Sequence, residues 1–154
     1  MNSSLDNLCG HNKPLAAEPP DAVEFAGLKR SGLLRLQDAG NAGLSLEGRF
    51  DLAYNAAHAL SLAALRWHGY RAGNRYIVFQ VLPHTLGLGA EVWRVLAKCH
   101  EVRNLGEYEG DLNVDERIVS DLITACKAVA TALGVAAAHL KVKRDRVELC
   151  PPMV

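Results

Sequence analysis

The stretch LEGRFDLAYNAAHALSLAALRW, residues 46–67, decides the fold. It contains no proline and one glycine, and Ser45 directly before it is a favoured helix N-cap residue. Its apolar residues fall on two adjacent helical stripes, which predicts a central helix with close neighbours. The first stripe comprises Phe50, Ala53, Tyr54, Ala57, Leu60 and Ala64, and the second Leu52, Ala56, Ala59, Ala63 and Trp67.

Further helices are predicted on both sides of this stretch. Residues 23–38 follow a possible Asp21 cap, residues 90–105 carry apolar residues at helical spacing, and a last helix runs from Asn113 to a stop at Gly134. Residues 75–82 fit either a short helix or a strand, and the helical surroundings favour the helix. The fold class is therefore all-α, an antiparallel up-and-down bundle of four to five helices.

The bundle is predicted to occupy residues 21–134, between two segments of different composition. Residues 1–20 are rich in Asn, Ser and Pro and are expected to form a flexible N-terminal segment. Residues 135–154 are expected to form a C-terminal tail that ends irregularly at two prolines. The basic residues of this tail are Lys141, Lys143, Arg144 and Arg146.

Composition excludes several classes of protein. Lys+Arg and Asp+Glu both number 17, so the net charge of zero argues against a broad polycationic nucleic-acid surface. No apolar run approaches the length of a transmembrane helix and the N-terminus lacks a secretory pattern, which predicts a cytoplasmic protein without a membrane partner. The cysteines at positions 9, 99, 126 and 150 form no CxxC pair, and no His/Cys/Asp set has metal-ligand spacing. We therefore expect neither metal nor cofactor.

The most polar part of a core-forming helix is the end of the fourth one. Arg103 continues its apolar stripe, so the guanidinium is expected to point toward the bundle or along its rim. His100, Asn104 and Tyr108 are spaced four apart and form a neighbouring stripe. Glu107 is four residues after Arg103 and in reach of an ion pair.

Two interpretations of this helix end remain open. In the structural one, Arg103 is simply paired with Glu107, and His100 and Asn104 are ordinary rim residues. In the functional one, the Arg fork and the Asn amide bind an anion such as phosphate.

Asn55 and His58 on the central helix are three residues apart and are candidates to face the same polar pocket as Arg103. The alternative is that they make an ordinary hydrogen bond between helices. We therefore take them as candidate binding residues beside Arg103 and Asn104.

Two longer stretches, RFDLAYNAAHALSLAALRWHGYR (residues 49–71) and CHEVRNLGEYEG (residues 99–110), together resemble a bacterial branch of the HEPN superfamily. The resemblance covers residues 22–134. It implies an all-α bundle, usually a homodimer, with RNA or nucleotide phosphate as the ligand. In active members an Arg, often followed by Asn, and a His four to six positions later form a metal-independent endoribonuclease site, and two such sites commonly meet across the dimer.

Arg103 and Asn104 match the first half of that motif, whereas Tyr108 stands where the His is expected. A tyrosine titrates near pH 10 and a histidine near 6.5, so Tyr108 is a poor general base at pH 7. In an active enzyme we would assign Arg103 to phosphate stabilisation, Asn104 to positioning, Tyr108 to the acid and His100 to the base.

The sequence leaves three functions open. The first in rank is a non-catalytic or weakly active dimer that binds RNA or nucleotide, with a nucleotidyltransferase or an antitoxin as possible partner. The second is a metal-independent endoribonuclease of a toxin–antitoxin or defence system. The third is a purely structural or partner-binding dimer.

Overall fold

The structure is a computed structural model that describes the backbone of residues 3–110 and 112–149 and the side chains of residues 4–110 and 112–138. It is a helical bundle with one small antiparallel sheet, so the predicted all-α class is confirmed. The elements are α1 (Ser3–Asn7), β1 (Leu15–Ala17), α2 (Ala22–Ala39), α3 (Leu46–Trp67), β2 (Tyr70–Ala72), α4 (Arg75–Gln80), α5 (Leu82–Thr85), α6 (Ala90–Glu109) and α7 (Glu116–Leu149).

The central helix is α3, as the sequence predicts. The Ser45 side chain accepts a hydrogen bond from the Gly48 amide at 2.9 Å, which caps the first turn. Both apolar stripes of α3 contain fully buried residues because α2 covers one side and α7 another. Gly32 lets α2 approach closely, since a Cβ atom there would lie 2.6 Å from Leu60 Cγ.

The last helix differs from its prediction at both ends. It begins at Glu116 and not at Asn113, and the carboxylate of Asp115 accepts from the Ile118 amide at 2.8 Å as its cap. Gly134 does not stop the helix, which continues to Leu149. Glycine tolerates an α-helix interior at a cost of about 1 kcal/mol, and the alanine-rich sequence after Gly134 favours continuation. The side chains of the predicted basic cluster, from Lys141 onward, lie outside the described residues.

The N-terminal segment also departs from expectation, because its residues 3–17 are packed onto the bundle. Leu5 of α1 and Leu15 of β1 are each only 1 % exposed, and β1 pairs with β2. The two leucines bury against Ile77 and Val78 of α4 in a second, smaller core. The few apolar residues of this segment have no sustained helical or alternating spacing, so the sequence pattern does not predict this docking.

The buried Arg66 holds the segment between β1 and α2 against the bundle. Arg66 of α3 is 2 % exposed, and its Nε atom donates to Glu24 Oε1 at 2.6 Å. Its remaining nitrogens donate to the backbone oxygens of Glu18, Pro19 and Tyr70. Arg71 pairs with both glutamates from the outer side. We call Glu18, Glu24, Arg66 and Arg71 the Arg66 network.

The ambiguous stretch after β2 is helical. The Asn74 side chain accepts from the Ile77 amide at 2.9 Å and caps α4, which confirms the predicted helix. Ile77, Val78 and Phe79 are buried. Since α4 contacts both α3 and α6, it closes one side of the space between those helices.

One helix of the described chain, Glu116–Ala138 within α7, is long and apolar enough to cross a membrane by length and composition alone, with a mean hydropathy of 1.6. In the fold this helix packs against α3 and α6, and 39 % of its most apolar window is buried there. The core helix of a soluble protein passes the same test, so its apolar character has an explanation in the packing.

Candidate functional site

The site is built around a tyrosine hydroxyl that α3 directs at α6. Tyr54 is fully buried, and its hydroxyl group lies 2.8 Å from Nδ1 of His100. On the other side of the ring, the Asn104 amide nitrogen donates to Nε2 of His100 at 3.0 Å. An amide nitrogen only donates, so Nε2 accepts and the imidazole proton is on Nδ1. His100 is therefore held at both nitrogens.

Arg103 lies against the same tyrosine. Its guanidinium carbon is 4.8 Å from the centre of the Tyr54 ring, a cation–π arrangement, and its side chain is 22 % exposed. One guanidinium nitrogen is 3.3 Å from Glu107, and Nε is 4.0 Å from Asp51. The predicted position at the rim of the bundle and the predicted pair with Glu107 are both present.

The helix α4 forms a wall of this site. The ring of Tyr76 lies 5.6 Å from the ring of His100, and Phe79 packs edge-on against both Tyr54 and His58. Arg75 at the start of α4 is close enough for its charge to act on Tyr54, His58 and His100. We call Tyr54, His58, His100, Arg103 and Asn104 the Arg103 cluster, with Arg75 at its edge.

The two histidines of the cluster are neutral at physiological pH. Burial lowers the pKa of His58 to about 4, and the positive charges of Arg75 and Arg103 act in the same direction. The pKa of His100 is also lowered, first by burial and then by the same two arginines. Burial is the main cause of both shifts, and the two arginines add to it.

The pKa of Tyr54 is shifted in the opposite direction from the pKa values of the two histidines. Burial raises the pKa of its hydroxyl group, and the nearby charges of Arg103 and Arg75 oppose this shift without overcoming it. The group is therefore a neutral hydrogen-bonding partner for His100. Its role in the cluster is to fix the orientation of the imidazole and to support the Arg103 guanidinium.

Beside the cluster, Arg103 borders an open cleft of about 250 Å³. Carboxylates dominate the rest of its polar lining, so the interior of this cleft disfavours an anion. The cleft is lined by Glu47, Asp51, Arg103, Gly106, Glu107, Gly110 and Leu112.

The structure brings together most but not all of the predicted site residues. His58, His100, Arg103 and Asn104 share the cluster. Tyr108 does not join it: its side chain is 91 % exposed, one turn beyond Asn104 on α6. This exposure gives no support to the predicted acid role.

Asn55 is also outside the hydrogen-bonded series Tyr54–His100–Asn104. Its amide nitrogen donates to the backbone oxygen of Asp51 at 2.9 Å, within its own helix. That bond satisfies the amide locally. This bond gives no support to the prediction that Asn55 binds a ligand together with Arg103.

Three members of the site were missed as functional residues, namely Tyr54, Arg75 and Tyr76. On sequence alone Tyr54 belongs to an apolar stripe of the central helix, and Tyr76 fits a core or interface residue. One signal was present, since a tyrosine on a buried stripe needs a polar partner for its hydroxyl group. Arg75 carries no such signal, because its position depends on how α4 folds back over α3.

Among the residues described, no group of three or more His, Cys, Asp and Glu side chains is placed to hold a metal ion. The arrangement is instead suited to an anion, with two arginines and two neutral imidazoles around one tyrosine. Comparison of the sequence with protein-family models, and of the chain with curated proteins and solved structures, gave no match.

Proposed function

We propose that this chain binds the phosphate group of RNA or of a nucleotide through Arg103 and Asn104, as a HEPN-like module that is non-catalytic or weakly active. The observation that carries the proposal is the chain of bonds from Tyr54 through His100 to Asn104, with Arg103 stacked on Tyr54. Such an arrangement fixes a guanidinium and an amide side by side at a helix end. Both groups donate hydrogen bonds suited to phosphate oxygens.

Arg103 is available to a ligand even though it has carboxylate neighbours. The side chains of Glu107 and Asp51 are 63 % and 62 % exposed. Ion pairs with such exposed partners contribute about 1 kcal/mol or less, so a phosphate competes with them at small cost. The purely structural interpretation, in which Arg103 is permanently paired, is therefore the weaker one.

Binding is favoured over cleavage by the state of His100. The lone pair of Nε2 accepts the Asn104 amide, and Nδ1 faces Tyr54. For His100 to take a proton from a ribose 2′-hydroxyl group, Asn104 has to release Nε2 first. The exposed Tyr108 supplies no second proton-transfer group inside the cluster.

The direct test is calorimetric titration of the wild-type protein with a single-stranded RNA oligonucleotide and with a nucleoside monophosphate. We expect saturable binding that Arg103→Gln weakens at least tenfold, which corresponds to about 1.4 kcal/mol. Arg30→Gln on the exposed face of α2 is the matched control and is expected to bind like wild type. An absence of binding by the wild type, or equal binding by Arg103→Gln, contradicts the proposal.

A second candidate function is metal-independent endoribonuclease activity. The specific observation in its favour is that the pKa of His100 is lowered, so the imidazole is already neutral at pH 7 and has a lone pair to act as base. The test is cleavage of single-stranded RNA in the presence of EDTA. Loss of cleavage in both Arg103→Ala and His100→Ala supports the enzyme, while an inactive wild type removes this candidate.

The HEPN resemblance extends the proposal to a cytoplasmic homodimer, with a nucleotidyltransferase or antitoxin as the cognate partner in a bacterial toxin–antitoxin system. A dimer that brings two Arg103 clusters together doubles the cationic groups available to one RNA strand. Light scattering of the purified protein gives the oligomeric state. A monomer at micromolar concentration contradicts this part of the proposal.

A further inference from the structure

Helix α2 has a second apolar face, which none of the described elements covers. Its inner face packs against α3 at Gly32. On the outer face, Val23, Leu33 and Leu34 are 83 %, 41 % and 54 % exposed. Single exposed apolar residues are common on protein surfaces, whereas a series along one helix indicates an interaction surface. The outer stripe of α2 consists of these residues and the others on the same face, namely Val23, Ala26, Arg30, Leu33, Leu34 and Gln37.

The outer stripe borders a shallow groove of about 460 Å³. Phe25 forms one wall of this groove, and the centre of its ring lies 4.7 Å from that of Trp67, so the wall is anchored to α3. The charged residues of the lining are Lys29 and Arg30, and none of the described lining residues is a carboxylate. The groove therefore combines an apolar contact surface with net positive charge.

The carboxylates of this part of the chain are used elsewhere. Asp21 caps the first turn of α2, and Glu24 belongs to the Arg66 network. Asp38 is in the last turn of the helix and does not line the groove. A molecule that covers the outer stripe and removes water from Lys29 and Arg30 therefore has to supply the negative charge itself.

We propose that the outer stripe of α2 is the docking site of an acidic amphipathic helix of a partner protein. Apolar side chains of that helix fill the groove beside Leu33 and Leu34, and its carboxylates pair with Lys29 and Arg30. The intervals of three and four residues between positions 23, 26, 30, 33 and 37 are those of a helix–helix seam. The seam is about 21 Å long at 1.5 Å per residue, which a partner helix of four turns covers.

A second copy of this chain fits the outer stripe less well than an acidic helix. A twofold axis centred on the stripe places Arg30 of one copy against Arg30 of the other, whether the two helices run parallel or antiparallel. Two guanidinium groups would then lose water at the centre of the interface without an acceptor. Carboxylates at the same position supply that acceptor.

An anionic membrane surface also fits less well. A helix that lies in a membrane interface keeps its basic residues on the polar face, away from the inserted apolar side chains. Arg30 lies within the outer stripe, between Ala26 and Leu33 in the seam. Insertion of the two leucines would therefore carry the guanidinium toward the acyl chains, whereas a partner helix meets it with a carboxylate.

The experiment titrates the full chain with two fluorescent helical peptides of about 18 residues, both with leucine at heptad positions a and d. One peptide has glutamate at positions e and g, and the other has lysine there. We expect saturable binding of the glutamate peptide, at least tenfold tighter than that of the lysine peptide. Leu34→Glu is expected to weaken binding of the glutamate peptide at least tenfold, and Arg30→Glu to reverse the preference between the peptides.

Arg35→Glu is the matched control, because it makes the same charge change at an exposed position of α2 outside the outer stripe. It is expected to bind both peptides like the wild type, and circular dichroism verifies that all variants keep their helices. No binding of the glutamate peptide, equal affinity for both peptides, or the same effect of Arg30→Glu and Arg35→Glu overturns the inference.

Two further measurements decide between the possible occupants. Light scattering that shows a dimer in the wild type and a monomer in Leu34→Glu assigns the outer stripe to a second copy and overturns the inference. Sedimentation with phosphatidylcholine–phosphatidylserine vesicles that Leu34→Glu abolishes assigns it to a membrane, with the same consequence. The outer stripe and the Arg103 cluster share no residue, so the phosphate-binding function stands or falls separately.

Discussion

The Arg66 network and the Arg103 cluster show how differently one residue type is used in a single small fold. Arg66 is almost completely buried, and acceptors surround its guanidinium on every side. Arg103 is partly exposed, rests on an aromatic ring and has only solvent-exposed carboxylates as ionic partners. A guanidinium whose donors are all used stabilises the fold, and one with donors to spare is available to a ligand.

Replacement of Arg66 and of Arg103, one at a time, is expected to give the largest difference in the free energy of unfolding. Arg66→Ala leaves three backbone oxygens without their donor and Glu24 with Arg71 as its remaining partner, and we expect a loss of about 3 kcal/mol in the free energy of unfolding. Arg103→Gln breaks only exposed pairs and is expected to cost less than about 1 kcal/mol. Urea denaturation measures both. Equal losses would remove the distinction between a structural and a ligand-binding arginine.

The pH dependence of the free energy of unfolding tests whether the fold keeps His58 neutral. His58 has a folded-state pKa of about 4, below the value of about 6.5 for an unfolded chain. The unfolded state therefore takes up a proton first, and stability that is complete above pH 6.5 is lost as the pH falls toward 4, on the order of 2 kcal/mol at pH 5.

His58→Gln removes this titration and is expected to flatten the decline in stability between pH 6.5 and 4. His11→Gln, at an exposed position in the N-terminal segment, serves as the control and is expected to keep the wild-type slope. Chemical denaturation at a series of pH values provides the measurement. An unchanged slope in His58→Gln would show that the histidine is not held neutral by the fold.

The two tyrosines near Arg103 provide a smaller contrast. Tyr54→Phe deletes the hydroxyl partner of His100 and is expected to cost about 1 kcal/mol of stability and to weaken phosphate binding several-fold. Tyr108→Phe changes an exposed group outside the cluster and is expected to change neither quantity. Parallel denaturation and calorimetry compare the two variants. A stronger effect of Tyr108→Phe would restore Tyr108 to the site.

The smallest expected effect comes from the carboxylate beside Arg103. Glu107→Gln removes a negative charge 3.3 Å from the guanidinium and is expected to strengthen phosphate binding about two- to fivefold, up to about 1 kcal/mol. Glu109→Gln, two residues further on and outside the ion pairs described here, is the matched control. The gain in affinity should be smaller at high salt, because salt screens exposed charges. Weaker binding by Glu107→Gln would mean that Glu107 positions Arg103 rather than competing with the ligand.

Local sequence signals predicted much of the fold. The predicted Asp21 and Ser45 caps both form, because a cap depends on neighbours within three residues. The docking of Leu5 and Leu15 is not predictable in the same way, since Ile77 and Val78 are more than 60 residues away along the chain. The stop expected at Gly134 failed because one glycine does not outweigh a strongly helical sequence on both sides.

The same distinction applies to the site. The contacts of His100 with Asn104 and of Arg103 with Glu107 each join residues four apart on one helix, and periodicity predicts them. The bond between Tyr54 and His100 spans 46 residues. The roles of Tyr54 and Arg75 therefore became visible only once α3, α4 and α6 were placed beside one another.

The most direct test of the central claim is a nuclear magnetic resonance titration of the histidine side-chain nitrogens with inorganic phosphate and adenosine monophosphate. We expect saturable shifts at His100 and His58, with the larger shift at His100 Nε2. His68, which follows the C-terminal end of α3, and His84 in α5 are expected to keep their resonances unchanged. Unchanged resonances for His100 and His58, or equal shifts at all four histidines, would contradict an anion site at the Arg103 cluster.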